Sequence, residues 1–353
     1  MAKKMMKNSV SVLSALVLVV ASATSMAGGV DVANSDNGRL KLSSKLFLGL
    51  AQQRAEKNGV TSKEAIGVSL DRAYFALKYK IDPVWSLGFT SDATVDTNLS
   101  SKQTRLYVKK AYLKGKLARE AQLRLGVIAT PWVGYEDKLF KHRYVSKSYV
   151  DRKKFDSSAD AGVALAGKLG AGFLSYDVAM VNGAGYSKIS PSQTMDLNMR
   201  VGIYPVKGLT LDANYRDGYL GHKKLGVLDA PKQTTLQTLA TFGGAAYRIG
   251  VGYVNHEKVA GSVTSTDIGV IAWGWLKLNK WGAFARFEQT DTDQSGVSVT
   301  EQESRYVVGA EYAYNKQVRF SLAVDHANTD QAGFVTGETE TKDRVGLYSV
   351  VKF

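Results

Sequence analysis

Basic residues recur in strand phase through the first third of the chain. Lys41, Lys45, Arg72, Lys78, Lys80, Arg105, Lys109 and Arg124 lie opposite apolar series, and Asp92 is the chief acid among them. A spacing of two places side chains on one face of a strand. Such a face makes and breaks no bonds. It gathers anions by Coulomb attraction, most strongly where low-dielectric walls narrow the passage. Later segments balance their charges: Arg200 with Asp196, Arg216 with Asp212, Arg286 with Glu288, Arg305 with Glu311, and Arg319 with Asp325. A second basic concentration lies between Thr130 and Ser157, with Lys138, Lys141, Arg143, Lys147, Arg152, Lys153, Lys154 and His142 among Glu136, Asp137, Asp151 and Asp156.

Catalysis has no comparable pattern. His142, His222, His256 and His326 are scattered, and neither a zinc-type HExxH nor a GxSxG nucleophile turn is present. Asp325 and His326 are adjacent, so on a strand they point to opposite faces and make a poor dyad. The absence of cysteine removes disulfides, thiolate metal sites and covalent haem attachment. The expectation is a non-enzyme with no cofactor and no metal.

The elements that carry these charges alternate with period two in runs of about ten residues. Leu40, Leu42, Leu46, Leu48 and Leu50 form one apolar series; Leu197, Met199 and Val201 form another, as do Leu209 and Leu211, Phe320 and Leu322, and Val345 and Leu347. Lys110, Lys114 and Lys116 fall out of phase with Leu106 and Val108, which predicts a bulge or a wet strand end there. Short connections (Asp82-Pro83, Ala118-Arg119, Gly170-Ala171, Pro205 to Gly208, Gly243-Gly244, Asn279, Asn315-Lys316) alternate with long polar ones. The long ones are Gln52 to Glu64, Asp96 to Lys102, Thr130 to Ser157, Asn182 to Gln193, Asp217 to Lys232, Asn255 to Ser265, Thr290 to Gln302 and Asn328 to Thr341. This sorting predicts an all-β fold: one transmembrane antiparallel β-barrel domain of about 16 strands over residues 28–353, with short periplasmic turns and long extracellular loops. Tyr79, Trp85, Tyr204, Trp281, Tyr314 and Phe320 flank the short turns, where an interface girdle would lie.

Residues 1–27 read as a cleavable secretory signal: Lys3, Lys4 and Lys7, an apolar run from Val10 to Ala23, then Ser25-Met26-Ala27. Export and a formal charge of +14 point away from nucleic acid. They point towards anionic solutes, outer-membrane lipid and lipopolysaccharide.

Leu123-Arg124-Leu125-Gly126, Thr130-Pro131-Trp132-Val133-Gly134 with Glu136, and Val181-Asn182-Gly183-Ala184-Gly185-Tyr186 resemble the Gram-negative outer-membrane porin family that includes the phosphate-selective porins O and P. The resemblance implies a 16-stranded barrel, a homotrimer, and a third loop folded inward as a constriction. It implies passive diffusion of small hydrophilic solutes and ions; the basic wall and loop predict a preference for anions, with phosphate or other oxyanions as candidates. No dense arginine ladder for phosphate is present. The selectivity set expected is Arg72, Lys78, Arg105, Lys109 and Arg124 on the wall, with Lys138, Lys141, Arg143 and Lys147 on the loop. The alternative is a non-channel barrel acting as an adhesin, receptor or structural protein. The final strand ends on Phe353, like the signal that barrel-assembly machinery reads. Deleting Phe353 is expected to lower outer-membrane levels without changing secretion across the inner membrane; equal abundance of the two forms in membrane fractions would refute this.

Overall fold

The computed structural model describes residues 30–33, 39–95, 104–224, 227, 230–295, 300–332 and 337–353. The expected signal segment, the Asp96 to Lys102 loop and parts of three other long connections lie outside them. Sixteen strands form a closed antiparallel barrel: β2 (Arg39–Lys57), β3 (Val60–Lys80), β4 (Trp85–Val95), β5 (Thr104–Lys116), β6 (Gln122–Ala129), β7 (Ala159–Leu169), β8 (Leu174–Val181), β9 (Asp196–Ile203), β10 (Leu209–Gly218), β11 (Lys232–Gly243), β12 (Tyr247–Ala260), β13 (Val263–Leu278), β14 (Trp281–Gln294), β15 (Thr300–Ala313), β16 (Val318–Ala332) and β17 (Glu338–Lys352). Each pairs with its sequence neighbours, and β17 closes on β2 from Glu340–Lys57 to Lys352–Lys45. Phe353 continues that seam through a reciprocal backbone pair with Ser44. A short strand β1 (Val30–Ala33) then pairs with Arg39–Leu42 of β2, filling the lower end of the same seam.

The alternation in the sequence becomes an inverted partition. Leu211, Leu236, Val251, Val308, Leu322 and Leu347 are each at least 43% exposed on the outside. Asn198, Asn214, Gln237, Arg286 and Glu288 are 3% exposed or less on the inside. An outer face that meets lipid needs apolar residues, while the enclosed face must solvate charge. At the turn end, the Trp281 and Tyr312 rings meet at 4.8 Å with their planes tilted by 51°, and Tyr204 bonds Ser175 Oγ at 3.0 Å.

Two sequence expectations need correction. The strict alternation of short turns and long loops fails at the segments expected from Gln52 to Glu64 and from Asn255 to Ser265. There the strands keep pairing and the tips are two residues long, at 58–59 and 261–262. Polar residues end the apolar pattern but not the ladder, so the hairpins rise beyond it. Asn58 (φ 51°) and Gly59 (φ 76°) both occupy the left-handed region that a two-residue primed turn requires. The segments from Thr290 to Gln302 and from Asn328 to Thr341 are likewise mostly strand.

The ion pairs are the second correction. Arg200 bonds Asp212 (2.7 Å) and Arg216 bonds Asp196 (2.7 Å); Arg305 bonds Asp325 (2.6 Å) and Arg319 bonds Glu311 (2.9 Å). Only Arg286–Glu288 (2.9 Å) pairs as expected. Residues four apart on a strand are separated by roughly 13 Å. A diagonal cross-strand neighbour is about 7–8 Å away and within reach of arginine.

Placing arginine at Leu322, mid-wall on β16, is expected to cost about 2–4 kcal/mol, and at a rim position such as Phe320 much less. Refolding equilibria into lipid vesicles check this; equal costs at both positions would show that these side chains do not face the hydrocarbon.

Candidate functional site: the barrel interior

The 28-residue stretch expected as a loop from Thr130 to Ser157 lies inside the barrel. Its ends are tied by Thr130 Oγ1 donating to the Ser157 carbonyl. Within it, a helix (Val133–Phe140) and a one-turn helix (Tyr149–Lys153) bury Trp132, Val133, Phe140, Tyr144, Val145, Tyr149 and Val150. These pack on Leu239, Val254, Ile271, Trp273, Trp275, Phe284 and Val307, which point inward from β11 to β15. Part of the interior is therefore an apolar core, where sequence reasoning expected a polar lumen throughout. The signal was present: Ile268 to Leu276 is apolar on both faces, the mark of a strand buried on both sides.

Polar bonds lock the loop to the same wall. Arg152 reaches Glu288 (2.6 Å) and Glu303 (2.5 Å), and Lys153 reaches Glu303 (2.7 Å). Tyr144 donates to Glu311 (2.8 Å), Trp275 Nε1 to the Leu139 carbonyl (2.8 Å), and Arg344 to the Val145 carbonyl. On the far side, Tyr135 donates to Asp212 (2.7 Å) and Arg216 to the Phe155 carbonyl (3.1 Å). Gly269 leaves the space that the Tyr149 ring fills; a Cβ there would come within 2.5 Å of the Tyr149 hydroxyl.

The β2–β7 wall faces the loop with cations. Arg72 (2.8 Å) and Lys109 (3.2 Å) share the buried Asp92, so this trio keeps one excess positive charge. Lys109 also sits 4.8 Å from the Tyr74 ring and 4.7 Å from the Tyr186 ring. Tyr186 arrives from the β8–β9 connection, where Gly183 and Gly185 donate their backbone N–H groups to Asp160 (2.9 and 3.1 Å), and its hydroxyl bonds Asp92 at 2.8 Å. The register of β4 and β5 skips Lys109, passing from Ser91–Val108 to Thr90–Lys110. This is the bulge expected from the phase shift, and it turns both lysines inward.

The candidate residues divide into separate places. Arg124 pairs with Asp177, an acid that sequence reasoning did not assign. Lys78 is exposed towards the turn end and Arg105 towards the loop end of the barrel. Arg143 is held between Asp137 (3.4 Å) and Asp151 (2.8 Å), stapling the loop to itself. Lys141 lies 3.5 Å over the Trp275 ring. Lys138 and Lys147 remain exposed inside the barrel. Arg72, Arg143 and Lys147 meet at a cavity of about 430 Å³ that Arg54, Lys63, Arg305 and Arg344 also line, against Asp71, Asp325 and Asp343. His326 faces outward to Asp343 (2.6 Å) while Asp325 faces inward to Arg305, so the two make no dyad. Among the described residues no cluster of histidine and acidic residues could hold a metal.

No protein-family model matches the sequence, and no curated protein matches it. Solved structures do. An outer-membrane expressed OmpT of Vibrio cholerae has a TM-score of 0.63 at 12% identity, covering 91% of this chain and 100% of that one. The chain has the porin fold. An anion-selective porin from Comamonas acidovorans gives 0.62 at 10%, covering 90% and 100%, and the outer membrane channel DcaP of Acinetobacter baumannii gives 0.63 at 12%, covering 91% and 99%. At these identities the porin-fold likeness concerns architecture alone.

The loop carries a titration. Burial pushes the Glu136 carboxyl up to about 7; neighbouring Asp137 adds to this and Arg286 opposes it. A carboxyl whose folded pKa lies above its unfolded value stabilises the folded loop most below about pH 4.5, and that contribution is lost as pH rises to about 7. The Glu136→Gln variant is expected to resist proteolysis of the loop better than the wild type at pH 8 and equally at pH 4.5. A wild-type cleavage rate that does not change between those pH values would contradict the assignment.

Proposed function

We propose that the chain is a porin of the outer membrane of a Gram-negative bacterium, a water-filled passage for passive diffusion of small hydrophilic solutes that prefers anions. It acts without enzymatic chemistry, cofactor or nucleic-acid partner, and it assembles as a homotrimer after export and insertion by the barrel-assembly machinery. Its surroundings are outer-membrane lipid and lipopolysaccharide. Solved structures of the same fold include a channel, an anion-selective porin and a trimeric form of the Vibrio protein.

The observation that carries the anion preference is the asymmetry of the interior. The inner loop packs its apolar side on β11–β15 and leaves Lys138 and Lys147 exposed, while the β2–β7 wall presents Arg72 and Lys109 on one carboxylate with Lys110 beside them. In a confined passage such a surplus is weakly screened, so it raises anion occupancy and repels cations. Phosphate and other oxyanions are candidate solutes on this ground. One feature favours a second reading, a non-conducting barrel that serves as adhesin, receptor or structural protein: the inner loop and its apolar core fill part of the lumen.

Single-channel recording in a planar bilayer with a salt gradient separates the two. The wild type is expected to conduct with an anion-selective reversal potential. Arg105→Gln with Lys109→Gln and Arg124→Gln should shift the permeability ratio towards cations, since the changes leave Asp177 without its arginine and Asp92 with one cation. An unchanged ratio or a cation-selective wild type defeats the anion preference, and no conductance favours the second reading.

A further inference from the structure

The short turns at one end of the barrel carry charge of one sign. Arg119, Lys207, Lys280 and Lys316 sit in the turns themselves, Lys80 ends β3, and Lys168 lies two residues before the turn from β7 to β8. All six are exposed, and none is held in an ion pair among the described residues. The turn at 244–246 is the exception: its nearest cation, Arg248, donates to Thr241 Oγ1 (2.7 Å) and to the Gly243 carbonyl (3.3 Å). Acids do not offset the surplus. Asp82 accepts the N–H groups of Val84 (2.8 Å) and Trp85 (2.6 Å) within its own turn, which leaves Glu120 as the exposed acid of these turns. The opposite end has the reverse sign along β13 to β17, where the strand tips carry Asp291, Asp293, Glu301, Asp330 and Glu338.

The cations share their level with exposed rings. Phe173, Tyr247, Trp281 and Tyr314 stand in or beside the same turns, and Trp281, which follows Lys280 directly, is 62% exposed. Arg119 reaches sideways along the rim, its guanidinium 3.6 Å from where a Cβ on Gly172 of the next turn would lie. Rings of this kind settle at the headgroup level of a bilayer, and long basic side chains beside them hold their charge there. The spread of the cations around the circumference decides between partners. A bound protein would meet one sector of the rim, whereas a lipid leaflet meets every turn at one height. Unpaired cations at that height attract lipid anions.

We propose that the turn-end rim binds a collar of anionic phospholipid, preferring phosphatidylglycerol to the zwitterionic phosphatidylethanolamine. The proposal rests on the reading of the barrel as an outer-membrane protein whose short turns face the periplasm.

Trp281 reports on the rim, because Trp132, Trp273 and Trp275 are buried in the interior and Trp85 can be replaced by phenylalanine. The full chain with Trp85→Phe is placed in mixed vesicles in which the acyl chains of one lipid, phosphatidylglycerol or phosphatidylethanolamine, are brominated. Quenching of Trp281 then gives their relative binding constant. A lipid at this site meets about one cation, so phosphatidylglycerol is expected to bind roughly fivefold more tightly at low salt and nearly equally at about 1 M salt. Lys207→Gln with Lys280→Gln and Lys316→Gln should bring the ratio close to one, while Lys280→Arg should keep it. Equal binding of the two lipids by the wild type, or a preference that the three glutamines leave unchanged, overturns the collar. So does release of phosphatidylglycerol by inorganic phosphate, which would mark a free-phosphate site, or lysine-dependent sedimentation with peptidoglycan in place of the lipid preference. Conductance is recorded on the same preparations. Protein that conducts without a headgroup preference defeats the collar alone, and a headgroup preference without conductance defeats the porin reading alone.

Discussion

Closure of the sheet is the constraint from which the rest follows. In hydrocarbon every backbone N–H and carbonyl must find a partner within the protein, and a sheet does this only when its first strand meets its last. Here the seam between β17 and β2 is extended by Phe353 against Ser44 and by β1 against Arg39–Leu42. Once the sheet is closed, the side-chain period of two assigns every residue to lipid or to the interior. The outside then takes Leu322 and Leu347, and the inside takes Arg286 and Glu288.

That enclosure sets the chemistry of the interior. A charge turned inward needs a partner within reach or open water. The diagonal pairs Arg200–Asp212 and Arg305–Asp325 satisfy one wall, and Arg152 brings the inner loop to Glu288 and Glu303. The loop is thereby fixed by two independent devices, an apolar face against Trp273 and Phe284 and a polar clamp around it. On the β2–β7 wall, Arg72 and Lys109 share a single carboxylate, Asp92. The same division separates what is structural from what a solute could meet: Arg143 staples the loop, whereas Lys138 and Lys147 remain exposed to the interior.

Wall height is a second variable that closure leaves free. Strands from β12 to β3 run well past the apolar band, and β6, β8 and β9 fall short of it. The Asn58-Gly59 pair belongs to the tall side. It is a hairpin signal that can be read directly, yet it is hidden inside a polar stretch that otherwise resembles a loop.

Strand number, the apolar outer face, the positions of the short turns and the bulge near Lys109 were legible in the sequence, because each depends on local chemistry: a period of two, a breaker residue, a phase shift. Asp92 was legible as an inward acid for the same reason. Which acid meets which arginine was not, since four residues along a strand are farther apart than a diagonal neighbour on the next strand, and only register decides that neighbour. The apolar core inside the barrel, the Arg124–Asp177 pair and the reach of Tyr186 to Asp92 depend on segments far apart in the chain. Only the closed barrel, by bringing those segments face to face across its interior, decided them.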